Sequence, residues 1–351
     1  MRVAHLLPNM VTGGRERMVA ELCRHSYALG IEPALIFYDP DIGDAAQIAC
    51  DAPVLAINRN SASFAKSLRS ALGPFDLVHA QGHISAHYVR QSGHAGPSVA
   101  TIHVGMERNW RWLYSIRQGL RAMDQLTAVS EPLAKLYSRI AGRTVELVAN
   151  GISLELFAGH RAQPPQSNDS FRFVMLSRLH EVKGHRDAIA AMDSLVASGI
   201  KAELLIAGEG PMESELQNLA ATRPHISLVG PVTDAPAFLS GHHAFLLCSK
   251  HEGMPLAVVE AMAVGLPVIC ADIKGITATT GSAALLVKGQ RPMDLVGAMQ
   301  RLTTDPHLWK GMSEHSLQQS LKFDVHKVAE QYAEIYERLL LKCRDVRSVL
   351  R

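Results

Sequence analysis

Residues Ala244–Met262, AFLLCSKHEGMPLAVVEAM, join a short apolar run to an apolar helical segment through a turn of small residues. The run Ala244–Cys248 is typical of a strand buried on both faces, as in a parallel sheet. Gly253–Leu256 form the predicted turn into the helix. Because a buried strand followed directly by a helix is the repeating unit of doubly wound α/β folds, this stretch predicts that architecture.

Two carboxylates accompany the turn, since Glu252 precedes it and Glu260 lies in the helix. The free N–H groups and the dipole at a helix start favour a bound phosphate. Carboxylates repel an anion and suit hydroxyl groups, to which they offer acceptor oxygens. The stretch therefore favours a nucleotide-sugar as ligand. An ordinary helix start, with acidic residues favoured by the dipole, remains the alternative.

The rest of the chain repeats the alternation of strand and helix in two blocks. The polar segment 159–170, GHRAQPPQSNDS, is typical of a linker between them. We therefore predict an N-terminal Rossmann-like domain over 1–160 and a C-terminal one over 165–324, followed by a long amphipathic helix from about 325. His242 and His243 are expected at the surface.

Composition excludes several classes of protein. The chain has 351 residues, of which 47% are hydrophobic and 19% charged, as in a globular protein with substantial cores. A net charge of +2 gives no case for nucleic-acid binding. Five cysteines without paired spacing suggest a reducing compartment, and no apolar run reaches the roughly 18 residues of a membrane span. We expect a cytoplasmic protein, at most peripheral at the inner face of a membrane.

Further polar clusters follow predicted strands, where doubly wound sheets bind their ligands. Arg178 and Lys183 place two fixed cations after one strand and match the charge of a diphosphate, although a solvated basic turn has the same pattern. Gly13 and Gly14 permit close backbone approach to an anion but lack a complete phosphate-loop motif. His103 is either a substrate contact or a satisfied buried histidine. No set of metal ligands is predicted.

Residues 108–121 interleave aromatic and basic side chains. A basic helix with aromatic residues is typical of a peripheral membrane contact, or of a site for an anionic acceptor. A plain amphipathic core helix with solvated arginines fits the same pattern equally well.

Together these residues resemble the family 4 retaining glycosyltransferases of GT-B fold. The resemblance spans nearly the whole chain and is carried, in order, by Gly13-Gly14-x-Glu16-Arg17, Thr101-x-His103, Val129-Ser130, Asn150-Gly151, Ser177-Arg178-Leu179-x-x-x-Lys183-Gly184, Gly208-x-Gly210-Pro211 and Glu252-Gly253-x-Pro255-Leu256-x-x-x-Glu260-Ala261-Met262. It implies two doubly wound domains facing a central cleft. It also implies a nucleoside-diphosphate-sugar donor, no obligatory metal, an acceptor on the first domain and a final helix that crosses back to it.

The resemblance also implies a role for each matching residue. Glu260 would bind the ribose hydroxyls, and Glu252 a hydroxyl of the donor sugar. Arg178 and Lys183 would neutralise the departing diphosphate. The other implied donor contacts are Gly14 and the neighbouring Gly13, His103 beside the reacting carbon, Val232 in the base-contacting turn, and the backbone of Gly253, Met254, Pro255 and Leu256.

The predicted activity is transfer of a sugar from a UDP- or GDP-sugar to a hydroxyl of a glycan or lipid-linked acceptor, with retention of configuration. Synthesis of bacterial surface polysaccharide or lipid-linked glycan is the expected context. A GT-B nucleotide-sugar epimerase, a non-catalytic sugar-nucleotide-binding protein and a two-lobed periplasmic binding protein are the alternatives. One departure concerns Lys274–Ala278, which lacks the glutamate usual in relatives and bears on the preference for donor or acceptor.

Overall fold

The computed structural model describes residues 1–11, 13–40, 48, 50–105, 110–166, 169–288 and 292–349. The chain divides into two compact units, Met1–Gly151 with Val325–Arg351, and Ile152–Asp324. The predicted boundary at 160–165 therefore lies several residues later than the division at Gly151. A polar, proline-containing segment suggested the later boundary, whereas Ile152 already bonds to the second unit through Phe323.

The first unit contains a seven-stranded parallel sheet in the described part of the chain. Its strands are β1 (Arg2–Leu7), β2 (Glu32–Phe37), β3 (Val54–Ala56), β4 (Leu77–Gln81), β5 (Ser98–Ile102), β6 (Gln125–Ala128) and β7 (Glu146–Leu147). Their order across the sheet is β3-β2-β1-β4-β5-β6-β7. The central strands are buried along their whole length because helices cover both faces of such a sheet.

Helices connect these parallel strands, which cannot be joined by tight turns. They are α1 (Gly14–Ser26), α2 (Phe64–Leu72), α3 (His83–Ser92), α4 (Trp110–Arg121) and α5 (Glu131–Ala141), with a short 3₁₀ turn at Tyr27–Leu29. Positive φ at the C-terminal glycines Gly93 and Gly142 ends α3 and α5.

The second unit contains a six-stranded parallel sheet within the described residues. Its strands are β8 (Phe171–Leu176), β9 (Ala202–Ala207), β10 (Ile226–Gly230), β11 (Ala244–Leu247), β12 (Val268–Ala271) and β13 (Ala284–Val287). Their order is β10-β9-β8-β11-β12-β13. This is the doubly wound order, so the predicted α/β fold class is confirmed for both units.

The helices of the second unit are α6 (His185–Ala197), α7 (Glu213–Ala220), α8 (Ala235–Ser240), α9 (Leu256–Ala263), α10 (Lys274–Thr280), α11 (Pro292–Thr304) and α12 (Pro306–Ser320), with 3₁₀ turns at Leu154–Phe157 and Glu181–Lys183. The apolar pattern did not predict α12, because serines occupy much of its buried face at 313, 316 and 320. The side chain of Asp305 accepts the N–H of Leu308 and caps this helix.

His242 and His243 are buried, so the prediction of a surface pair is wrong. Nδ1 of His243 accepts the N–H of Arg172 at 3.0 Å, and its carbonyl accepts Nε1–H of Trp309 at 2.7 Å. The ring of His243 lies 5.2 Å from that of Phe171 and the ring of His242 lies 4.8 Å from that of Phe238, centroid to centroid, so both imidazoles pack on aromatic side chains of the second unit.

The final helix, α13 (Val325–Val349), belongs to the first unit. Two buried tyrosines anchor it to the sheet. The hydroxyl of Tyr336 lies 2.6 Å from Nδ1 of His79 on β4, and that of Tyr332 lies 2.8 Å from Oγ1 of Thr101 on β5. Within the described residues, no helix combines the length and apolar character needed to cross a bilayer.

Candidate active site

The loops that follow β8 and β11 hold the main cluster of predicted site residues. These strands are neighbours in the sheet although β9 and β10 intervene in the chain, so they mark the point where the strand order reverses. Ligands of doubly wound sheets bind beyond the carboxyl ends of the strands at such a point. Arg178 and Lys183 follow β8, and Glu252 follows β11.

Lys183 and Glu252 form an ion pair at this point. The ammonium lies 2.6 Å from Oε1 of Glu252, and the side chains are 21% and 11% exposed. Oε1 also accepts the hydroxyl of Ser249 at 2.7 Å. Oε2 makes no hydrogen bond to any residue that the structure describes. The carboxylate is thus oriented by one oxygen while the other keeps its acceptor capacity.

Two glycines, Gly184 and Gly275, allow their backbones to pack closely against the segment 248–253 that carries Glu252. A side chain at Gly184 would place Cβ 2.3 Å from the carbonyl oxygen of Cys248, and φ at Gly184 is +73°. A side chain at Gly275 would place Cβ 2.2 Å from the carbonyl oxygen of Glu252. Only glycine fits at these contacts. Gly275 lies in the segment Lys274–Ala278, and the sequence pattern predicted no role for it because its neighbour Glu252 is remote in the chain.

Several other predicted donor contacts also lie on the second unit, at separate positions. The guanidinium of Arg178 is exposed and has no partner among the described residues. Gly253–Leu256 are buried and lead into α9, while Glu260 is buried in the second turn of that helix. Val232 is half-buried in the loop after the edge strand β10.

His185 follows Lys183 and does not add to the positive charge. Its Nε2 lies 3.1 Å from the hydroxyl of Ser177, and burial, followed by the nearby Lys183 ammonium, lowers its pKa to about 4. The fixed cations of the loop after β8 are therefore Arg178 and Lys183.

The first unit carries its predicted site residues at the carboxyl edge of its own sheet. Gly13 precedes α1 and Gly14 begins it. A side chain at Gly13 would meet the carboxylate of Glu16, which forms an ion pair with Arg15. The buried Glu16 carboxylate beside this loop would repel an anion, and Arg15 compensates its negative charge.

His103 follows β5 and is buried. Its Nε2 lies 2.8 Å from Oε1 of Gln81, and burial, aided by the charge of Arg15, lowers its pKa to about 3. Nδ1 is buried and has no hydrogen-bond partner in the described part of the chain. The hydroxyl of Ser130, after the adjacent strand β6, is also buried and unpartnered among those residues. Neighbouring strand ends thus present two polar atoms that ligand hydroxyls can satisfy.

Both halves of the chain match known glycosyltransferase families. Residues 12–156 match the family described as Glycosyltransferase Family 4, and residues 170–305 the one described as Glycosyl transferases group 1. The chain belongs to these glycosyltransferases. The enzyme is therefore a transferase of the glycosyl-transferring class, and the predicted family is confirmed.

Among similar proteins, the putative glycosyltransferase EpsF of Bacillus subtilis (strain 168) is 27% identical over 304 residues, which cover 77% of this glycosyltransferase and 79% of EpsF. The putative teichuronic acid biosynthesis glycosyltransferase TuaC of the same strain is 27% identical over 289 residues, which cover 75% and 70% of the two chains.

A solved structure with a similar fold is that of Anabaena Alr3699/HepE in complex with UDP-glucose. It aligns with a TM-score of 0.81 and 17% sequence identity, over 97% of this glycosyltransferase and all of that chain. The predicted GT-B fold is confirmed by this likeness.

Proposed function

We propose that this glycosyltransferase moves a sugar from a UDP- or GDP-sugar to a hydroxyl of a glycan or lipid-linked acceptor, with retention of anomeric configuration. The observation that carries the proposal is the Lys183–Glu252 pair at the strand-order reversal of the second unit, on loops that also hold Arg178. The UDP-glucose complex of the structurally similar Alr3699/HepE supports a nucleotide-sugar as donor.

Breaking the bond between sugar and diphosphate develops negative charge on the leaving phosphate and positive character on the ring. Preorganised cations at the leaving group stabilise this charge, which is usually the largest single contribution to such catalysis. Lys183 has three N–H donors and spends one on Glu252, so two can meet phosphate oxygens. Arg178 offers a bidentate fork to the same group.

Glu252 serves the sugar rather than the phosphate in this proposal. Its Oε2 accepts a hydroxyl of the donor sugar, while Ser249 and Lys183 hold Oε1. Glu260 takes the ribose hydroxyls, and Val232 lies in the turn that contacts the base. The backbone of Gly253–Leu256 lies beside diphosphate and sugar.

Retention follows if the acceptor attacks from the face that the diphosphate leaves. No carboxylate is marked as a nucleophile by the sequence, so we favour assistance by the leaving phosphate over a covalent intermediate. Arg178 and Lys183 supply the charge compensation for which other transferases need a metal, and we propose no obligatory metal here.

The acceptor side of the proposal involves the first unit and a membrane surface. TuaC is named for teichuronic acid biosynthesis, which supports a role in bacterial surface polysaccharide or lipid-linked glycan synthesis. Helix α4 exposes Leu113, Tyr114 and Arg117, a combination suited to anionic lipid headgroups at the inner face of the cytoplasmic membrane. Residues 108 and 109 of the predicted membrane contact lie outside the described residues.

The donor is identified by thermal shift with UDP, GDP, ADP and their sugars. A nucleotide at 100 times its dissociation constant stabilises the protein by about 2.7 kcal/mol. Transfer is then followed with the stabilising donor and a panel of glycan and polyprenyl-linked acceptors, and NMR of the product gives the anomeric configuration.

The variant Lys183→Ala separates the proposed function from the alternatives. We expect its transfer rate to fall by about 10² to 10³, by analogy with the loss of one transition-state donor. The exposed Lys201 directly precedes β9 and so lies at the amino ends of the strands, away from the site; Lys201→Ala is the control. Epimerised donor formed without any acceptor, or normal transfer by Lys183→Ala, would contradict the proposal.

A further inference from the structure

Three side chains, two on strands and one just after a strand, form a hydrogen-bonded row in the first unit. Nε2 of His103 lies 2.8 Å from Oε1 of Gln81, and Nε2 of Gln81 lies 3.0 Å from Nδ1 of His5. His5 is on β1, Gln81 ends β4, and His103 follows β5. The strands β1 and β4 are the pair at which the strand order of this sheet reverses.

The amide of Gln81 fixes which nitrogen of His103 carries the proton. An amide has a donating nitrogen and an accepting oxygen. Its nitrogen donates to Nδ1 of His5, so its oxygen faces His103 and accepts the proton on Nε2. Nδ1 of His103 is therefore a lone pair, buried and unpartnered within the described residues.

A second row holds His5 in place. The ring of His5 lies 5.1 Å from that of His79, centroid to centroid. His79 is bound at both nitrogens, to the hydroxyls of Tyr336 and Thr101, each at 2.6 Å. Because both nitrogens of His79 are bound, its ring is fixed. The ring of His5 packs against it, and His5 in turn orients the Gln81 amide.

We propose that Gln81 is a positioning residue of the transferase: held by His5, it sets the tautomer of His103 so that Nδ1 accepts a hydrogen bond from a hydroxyl of the sugar substrate. The inference rests on the proposed function, since His103 must meet that substrate. It adds Gln81 and His5, for which the sequence pattern predicted no role.

The charged and titratable groups that face this row are few among the described residues. They are Arg15 on α1 with its partner Glu16, and His79, which in turn contacts Tyr332 and Tyr336 of α13. Burial lowers the pKa of His5 to about 4 and that of His79 well below its ordinary value. The imidazoles are therefore uncharged near neutral pH, and Gln81 decides the hydrogen-bonding character of Nδ1.

The variant Gln81→Glu tests the proposal by charge. A carboxylate facing Nε2 stabilises the imidazolium, so the pKa of His103 rises from about 3. Once protonated at both nitrogens, His103 cannot accept a bond at Nδ1. We expect kcat to fall by about tenfold at pH 6, the effect of one lost hydrogen bond, and to recover toward pH 9. The wild type should show no such dependence.

Two further measurements and a control variant separate positioning from a merely structural role. ¹⁵N NMR of labelled imidazoles should give His103 with its proton on Nε2 in the wild type and a mixture of tautomers in Gln81→Leu and His5→Phe. The thermal shift with the donor nucleotide should be unchanged in all three variants, because none of its proposed contacts is Gln81, His5 or His103, which meets the sugar. The same chemical change at the exposed Gln91, Gln91→Glu, is the control.

The possible failures are distinguishable. A wild type without transfer from any donor contradicts the proposed function, and the NMR spectra still test the tautomer. An active wild type contradicts the inference if Gln81→Glu keeps its pH profile, or if Gln81→Leu leaves both the His103 tautomer and kcat unchanged.

Discussion

The ammonium of Lys183 and the carboxylate of Glu252 lie 2.6 Å apart across 69 residues of chain. Each belongs to a loop that follows a central strand, β8 or β11, and the pairing of those strands brings the loops together. Because the two opposite charges compensate each other, the Lys183 ammonium can be partly buried without the cost of an unpaired buried ion.

A double-mutant cycle measures how strongly the two residues depend on each other. We expect Lys183→Ala, Glu252→Gln and the double variant to give a coupling of about 1 kcal/mol in the free energy of unfolding, weaker at high salt. Urea denaturation at two ionic strengths provides the measurement. Strictly additive effects at low salt would show that the contact contributes nothing to stability.

Gly275→Ala should disturb the turn that carries Glu252. The added methyl group would lie 2.2 Å from the carbonyl oxygen of Glu252 and 2.7 Å from that of Gly253, so backbone must move. We expect a loss of about 1–3 kcal/mol in stability, as for other overpacked sites, with reduced transfer. Gly297→Ala is the control, because that exposed helical position has open space and the change should stabilise the helix. Equal effects of the two variants would contradict this prediction.

Tyr336→Phe should loosen α13 from its sheet. The hydroxyl bonds Nδ1 of the buried His79, and its removal leaves a buried nitrogen unsatisfied, at a cost of about 1–3 kcal/mol. Urea denaturation followed by circular dichroism measures the loss. The 71% exposed Tyr114 supplies the matched control, Tyr114→Phe, which should change stability little. A neutral Tyr336→Phe would mean that the hydroxyl contact is dispensable.

Mild acid should destabilise the protein through its buried histidines. Burial lowers the pKa of His5 and His185 to about 4 and that of His103 to about 3, whereas the unfolded chain titrates near 6.5. Below about pH 6.5 the unfolded state therefore binds protons that the folded state does not, so stability falls as pH falls toward about 4. Each such histidine lowers the free energy of unfolding by about 1.4 kcal/mol for every pH unit of acidification in this window.

Urea denaturation at pH 7.5, 6 and 5 checks the sign and slope of this dependence. His185→Gln removes one of the groups and should make the slope shallower, even if it lowers stability at pH 7.5. An unchanged stability between pH 7.5 and 5 would mean that these imidazoles are protonated in the folded protein.

The sequence predicted the strands better than the contacts between them. The apolar run Ala244–Cys248 predicted β11, which the structure ends one residue earlier at Leu247, because buried parallel strands leave little room for polar residues. Helix α12 escaped because serines line its buried face and obscure the apolar period. The sequence predicted that Lys183 and Glu252 follow the carboxyl ends of strands, where the structure has them. Their direct pairing depends on strand order, which puts β8 beside β11. The roles of Gly275 and Gln81 likewise depend on neighbours that only the folded chain supplies.

The anchoring of α13 by Tyr332 and Tyr336 bears on the order of events during synthesis. The second unit is continuous, from Ile152 to Asp324, whereas the first needs a helix encoded after it. Because chains leave the ribosome from the N-terminus, the 151 residues made first must wait for the last helix to complete their core. Until then the faces of His79 and Thr101 that the tyrosines cover are open, and a stalled or truncated chain should be a client of chaperones and proteases.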